Sequence, residues 1–303
     1  MITRDIKALA TFPEAARLGF GAATARAAFL VAPEGFSLAV QSASDNAYMD
    51  LSLREDVERA LAQHRGLQRA LARRLPTLCF PGDPATPDAV FPNNVFATAP
   101  GQLIIGHMRH PVRQAEAERS DIRGFFKDVL GYAEIDLRQQ PGVCELTGSV
   151  VIDRGRGVAY GGLSERCDEA GLSAFAQALG WVETVPYALA AGEYHGNVVM
   201  SVLASRAVVV APDGFADPAV GEAIAARYGA GGILLTAEEK NAFAANCIAL
   251  TSDAVFMSER AADALRPATR SALERNGFAI DAVALDEIEK AGGSLRCCVA
   301  EIF

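Results

Sequence analysis

Positive charge is scarce in this chain. Its 303 residues carry 28 Lys and Arg against 37 Asp and Glu, a net charge of −9. The deficit excludes a nucleic-acid binder, which needs a basic footprint, and an electrostatic hold on anionic lipid. It leaves room for an acidic pocket that takes a cationic substrate. Long apolar runs are also missing. The most apolar N-terminal run, at 27–32, is too short to span a membrane. No signal-peptide core or cleavage site goes with it, so a cytoplasmic protein is expected. The six cysteines, Cys79, Cys144, Cys167, Cys247, Cys297 and Cys298, form no CxxC pair and no regular framework. Zinc is therefore not expected, and free thiols in a reducing compartment are. No GxGxxG follows a strand, which argues against Rossmann winding. No Pro-rich or low-complexity linker divides the chain. A single domain over 27–303 is expected, behind an Ala-rich leader, 1–26, that is helical or poorly ordered.

What is present is a large apolar fraction, 50% of residues, and with it the means to bury a sizeable core. Short apolar or β-branched runs predict strands at 27–32, 78–80, 103–105, 150–153, 157–160, 207–211, 233–235, 248–250, 254–257 and 278–280. Amphipathic or mixed segments predict helices over 54–74, 111–130, 168–179, 218–229 and 260–276. A strand-strand-helix-strand unit recurs faintly, about every 60 residues, in a manner that suits a propeller-like closure.

Four stretches stand out: Phe91-Pro92-Asn93-Asn94-Val95-Phe96, residues 145–154 (ELTGSVVIDR), Tyr194-His195-Gly196-Asn197, and the tail 292–303 (GGSLRCCVAEIF). Each has an ordinary reading. An Asn pair after proline is most simply an Asx turn. A Glu before a Gly-Ser turn is usually solvated, and a single His is usually surface or satisfied core. A Cys pair in an apolar tail is usually packing. Arg166 is equally a surface residue before a helix that Asp168 caps.

In this order, the four blocks resemble the guanidine-modifying (pentein) superfamily of arginine deiminases, dimethylarginine hydrolases and amidinotransferases, and most of all its citrulline-utilisation hydrolase branch. The resemblance extends to 43–46 and 163–168, and so covers 27–303. It implies an α/β fold, the five-bladed α/β propeller of ββαβ-type repeats with pseudo-fivefold symmetry, with the site at one mouth of a central channel. It implies Cys297 as nucleophile, His195 as general acid/base and Glu145 as catalytic acid, with Asn93, Asn94, Asn197, Arg166 and Arg296 as substrate-binding residues. Leu146 departs from the glycine that the family usually has after the Glu. Extended neighbours point to opposite faces, so one of Cys297 and Cys298 should face the site.

The chemistry suits these types. A ureido or guanidino carbon is a poor electrophile and needs a thiolate, which a nearby imidazolium favours. The leaving amine needs a proton, which His195 can supply before activating water. Arginine deiminases hold their cationic substrate with Asp at the positions of Asn94 and Asn197. Amides offer both donor and acceptor and suit a neutral ureido head. The expected reaction is hydrolysis of citrulline to ornithine, CO₂ and NH₃ through a covalent Cys297 intermediate, without metal or organic cofactor. Arg166 is the expected partner of the substrate carboxylate. The alternatives are a deiminase or hydrolase acting on arginine or methylarginine, and a non-catalytic binding protein of the same fold. A small amino-acid substrate, no nucleic-acid or membrane partner, and a state left open between monomer and homodimer complete the expectation.

Overall fold

The structure is a computed structural model and describes residues 2–4, 22–180 and 183–303. Most of the expected leader lies outside the described residues. The described residues form a mixed α/β fold with five separate small sheets, none of which closes on itself. The same plan recurs in them. A first strand runs antiparallel to a middle strand, which runs parallel to a third across a helical connection. The first sheet joins the two ends of the chain: β1 (Ala27–Val31) is parallel to β2 (Thr77–Phe80) and antiparallel to the last strand, β14 (Ala300–Ile302). The next sheets are β3 (Phe96–Ala99), β4 (Gln102–Ile105) and β5 (Ala133–Asp136), then β6 (Val150–Asp153), β7 (Val158–Leu163) and β8 (Glu183–Ala188). They are followed by β9 (Met200–Leu203), β10 (Ala207–Val210) and β11 (Gly232–Leu234). In the fifth, β12 (Ala254–Ser258) is parallel to β13 (Ala279–Val283), and a single antiparallel bridge from Ile248 to Phe256 takes the first strand's place.

The sequence dictates this alternation locally. Tight turns close the antiparallel pairs: Gly101 and Gly157 supply positive φ, and Ala204 and Ser205 adopt it without being glycine. The latter two pay a small conformational cost, and Ser205 Oγ is tied to Asp153 and to Gly155 N of the neighbouring sheet's turn. Helices make the parallel crossovers. Asp56, Asp168, Asp217 and Ser258 each cap one, their side chains accepting from the first-turn N–H groups and satisfying donors that the helix cannot. The longest helix among the described residues, Val57–Ala72, buries Ala60, Leu67 and Leu71. Among the described residues, no helix is long and apolar enough to cross a membrane.

Several local expectations change. The run 111–130 is not one helix: it comprises Pro111–Gln114, Ala115–Glu118, Ser120–Gly124 and the π-turn Phe125–Val129, and it breaks in the middle where Arg119 leaves helical geometry with ψ of 93°. The run 260–276 breaks at Leu265 and Arg266, where Pro267 forces its predecessor to extend. The strands β5 and β8 escape a hydrophobicity reading. Each flanks its sheet on the outside and carries charges or proline (Ala-Glu-Ile-Asp; Glu-Thr-Val-Pro-Tyr-Ala), as edge strands do.

What positions the site is a set of helical turns, each leading into the first strand of a sheet: Pro92–Asn94, Leu146–Ser149, Gly196–Val199 and Leu295–Cys298. The second packs on the first and the third, and the fourth packs on the first. Asn246, two residues ahead of the Ile248 bridge to the remaining sheet, bonds to the third and fourth.

Candidate active site

Those turns bring the chemistry of four distant stretches together. Glu145 and His195 are the residues that open the second and third turns. Both are fully buried. Glu145 Oε2 lies 2.8 Å from His195 Nε2 and 3.5 Å from Arg166 Nη1. Burial would raise the Glu145 carboxyl. The Arg166 charge and the hydrogen bond from His195 outweigh it and hold the group well below the usual carboxylate range. An ionised Glu145 can only accept, so His195 carries its hydrogen on Nε2 and leaves Nδ1 as a free base. Burial keeps that imidazole below its ordinary pKa despite Glu145, and so neutral at pH 7.

Cys297 is 1% exposed. Its Sγ receives a hydrogen bond from Asn246 Nδ2 at 3.3 Å and lies 3.7 Å from Asn197 Oδ1. Burial raises the thiol, and the Asn246 donor opposes that shift. The pair at rest is thus neutral thiol and neutral imidazole, not the thiolate and imidazolium that the sequence suggested. The reason is the dry surroundings, which disfavour both charges. Cys298 differs from expectation in its geometry only. The pair sits in a helical turn, not a strand, and successive residues there diverge by about 100°. Its Sγ points at Ser294 O, 3.5 Å away, in full burial.

Next to these groups is a small cavity of about 10 Å³ whose walls include Ser42, Asn46, Asp88, Asn94, Tyr194 and Cys297. That is room for about one water, so the site is shut as it stands. On its walls Asn94 Oδ1 and Asp88 Oδ1 have no partner among the described residues, nor do His195 Nδ1, Glu145 Oε1 and both amide atoms of Asn93, on the turns that carry the site. Buried polar groups are nearly always satisfied, so this concentration marks a place built for a polar ligand. Gly148 leaves the space between two of these groups clear. A Cβ there would fall 2.5 Å from Asn94 Oδ1 and 3.0 Å from His195 Nδ1.

The other expected residues divide. Asn197 is near Cys297, but its amide is used by the protein: Nδ2 donates to Thr147 O at 3.3 Å and Oδ1 accepts from Asn246 at 3.3 Å. Arg166 reaches the cavity wall, yet its fork is engaged. Nε donates to Asp45 at 3.0 Å and Nη2 to Ser42 O at 2.7 Å. Arg296 turns away from this cavity; its guanidinium holds Val299 O at 2.8 Å and Glu301 at 2.9 Å. Asp168 caps its helix through Gly171 N at 2.8 Å. Two residues were missed. Asp88 is 2% exposed, and burial raises its carboxyl against the pull of Arg113. Asn246 lies in an Ala-Asn-Cys-Ile stretch with no distinctive neighbours, but it had a signal. Asn94, Glu145, His195, Asn246 and Cys297 follow one another at intervals of 50 or 51 residues.

The chain resembles known proteins in sequence and in fold. The N-terminal domain of ArgZ, an arginine dihydrolase from cyanobacteria, is similar over 91% of this chain and 97% of its own, with a TM-score of 0.79 at 19% identity. A dimethylarginine dimethylaminohydrolase, solved as an adduct with S-methyl-L-thiocitrulline, is similar over 92% of this chain and 100% of its own, with a TM-score of 0.71 at 20% identity. The protein YkgA of Bacillus subtilis (strain 168), described as uncharacterized, is 23% identical over 251 residues, 82% of this chain and 81% of its own. The family model of eukaryotic N,N dimethylarginine dimethylhydrolase matches residues 32–303. The chain therefore belongs to the N,N dimethylarginine dimethylhydrolase family, among the guanidine-modifying hydrolases of the pentein superfamily.

Proposed function

We propose that this protein is a cysteine-dependent hydrolase of a ureido C–N bond, with citrulline as its substrate and ornithine, CO₂ and NH₃ as products. The observation that carries the reading is the set of orphaned polar atoms beside Cys297, where an amide, Asn94, sits near His195. A neutral ureido group bears both C=O and NH₂ and matches an amide. Asp88 is the carboxylate on the cavity wall with a free oxygen, and it suits the α-ammonium of an amino acid. We read the five sheets as the blades of an α/β propeller formed by 27–303.

In this mechanism substrate displaces the segment carrying Ser42 and Asn46, since the closed cavity cannot hold an amino acid. Filling the site lets the Cys297 proton pass to His195 Nδ1, and Glu145 balances the imidazolium. Sγ attacks the ureido carbon, and the tetrahedral species collapses as His195 protonates the departing nitrogen. His195, neutral again, takes a proton from water, which attacks the thioester-like carbon and frees Cys297. Carbamate then breaks down to CO₂ and ammonia. Asn246 and Asn197 hold Sγ in place. Arg166 anchors Glu145, and it binds a substrate carboxylate only if Asp45 releases it.

Asp88 also favours a second reading, arginine or a methylarginine as substrate, because a buried carboxylate can grip a guanidinium. Ammonia release from citrulline and arginine, and dimethylamine release from asymmetric dimethylarginine, separate the readings, with Cys297→Ala as the blank. Turnover of citrulline well above the blank is expected. Turnover of arginine with none of citrulline sinks the ureido assignment, and release from none of the three favours a binding protein.

A further inference from the structure

A second cavity shares no wall residue with the first. It encloses about 40 Å³, and its lining includes Thr147, Arg154, Ser201, Arg296, Glu301 and Phe303. Arg154 is the last residue of the ELTGSVVIDR block, and the reaction above makes no use of it. It is 5% exposed. Nη2 donates to Thr98 O at 2.9 Å, and the guanidinium carbon lies 3.7 Å from the centre of the Phe303 ring. Nη1 has no partner among the described residues.

The charges around it do not balance. Arg296 lines the same space and already holds Glu301 at 2.9 Å, which leaves Arg154 as a second cation without a carboxylate of its own. Burial, opposed by the Glu301 carboxylate and helped by Arg296, brings the Arg154 guanidinium down to about 10. A buried donor left unmade is costly, and a buried charge without a counter-charge more so. An anion in the cavity removes both costs. Its size follows from the volume. At about 10–15 Å³ for each water-sized position, the space holds some three such positions, the extent of a planar ion of three or four heavy atoms. The planar guanidinium suits a planar oxyanion better than a spherical one, and Ser201 adds a hydroxyl to the wall.

We propose that this cavity is a binding site for a small planar oxyanion of the carboxylate or bicarbonate class, held through Nη1 of Arg154. The proposal does not depend on the substrate assigned to Cys297. It is tested by following thermal unfolding of the wild-type protein while sodium formate replaces sodium chloride at constant ionic strength. A ligand that binds only the folded state raises Tm in a saturable way. The expected result is saturation with formate, with the half-saturating concentration at least about tenfold higher in Arg154→Lys, which keeps the charge but loses the fork. Bicarbonate and acetate should each displace ¹³C-formate from the wild-type protein, with line width as the readout. Bicarbonate displacing at lower concentration assigns the site to the inorganic ion, and acetate doing so assigns it to organic carboxylates. A Tm that does not respond, or that climbs without saturating, means the cavity holds water and overturns the proposal. Equal saturation in Arg154→Lys also overturns it. If that variant does not fold, the wild-type titration and displacement decide alone.

Discussion

Glu145→Gln is expected to lower kcat for ammonia release by about 10³- to 10⁴-fold, the scale seen when a buried carboxylate that orients a catalytic histidine becomes an amide. Three effects combine. The amide can donate to His195 Nε2 as readily as accept from it, so the tautomer that frees Nδ1 is no longer enforced. The imidazolium formed when Cys297 gives up its proton loses its counter-charge, and His195 is already held below its ordinary pKa by burial. Removing Glu145 lowers it further, so the variant's base is weaker at every pH. Arg166, 3.5 Å away, also loses a partner. It keeps Asp45 and Ser42 O, so the fold should survive, with some loss in urea midpoint. Steady-state kinetics beside equilibrium unfolding check this. A variant with near wild-type kcat and intact folding removes Glu145 from the mechanism.

Asn94→Asp is expected to exchange substrates. Asn94 is 3% exposed, and its Oδ1 has no partner among the described residues. A carboxylate there meets a ureido group as an uncompensated buried charge, which costs several kcal/mol. Against a guanidinium it gains a charge-assisted bond worth about 1.5–3 kcal/mol. Each 1.4 kcal/mol is tenfold, so the ratio of kcat/KM for citrulline to that for arginine should fall by at least about 10²-fold. Asn197→Asp should swing the ratio less, since that amide is spent on Thr147 O and Asn246. Competition between the two substrates measures the ratio directly. An unchanged ratio in Asn94→Asp means that the amide does not read the head group, and Asp88 then becomes the residue to examine.

Much of this site could be read from the chain because its parts lie in short blocks with unusual neighbours. A proline before paired asparagines, a Gly-Ser turn after Glu145 and paired glycines ahead of Cys297 each marked a backbone feature as well as a side chain. Asn246 has no such setting, and only its place in the 50- or 51-residue interval points to it. Asp88 is three residues before Phe91 in an unremarkable Asp-Ala-Val. Its importance comes from burial, which no single sequence displays. Arg166 was placed at the site, but its engagement with Asp45, 121 residues away, depends on the fold. The charge state of Cys297 was misjudged for the same reason. Residue types suggest a thiolate and an imidazolium, while dryness around both groups decides for the neutral pair. In the fold, β10 reads plainly as Ala-Val-Val-Val, all buried, whereas β5 and β8 carry the polar pattern of an outer strand.

The central claim is a covalent intermediate on Cys297, and rapid-quench mass spectrometry tests it most directly. Wild-type protein is mixed with citrulline labelled at the ureido carbon, quenched in acid during turnover and digested. The account predicts label on the peptide containing Cys297 and Cys298, assigned to Cys297 by fragmentation, rising before release of labelled CO₂ and decaying as substrate is exhausted. Steady release of labelled CO₂ with no label on that peptide at any time, or label on Cys298 instead, would contradict it.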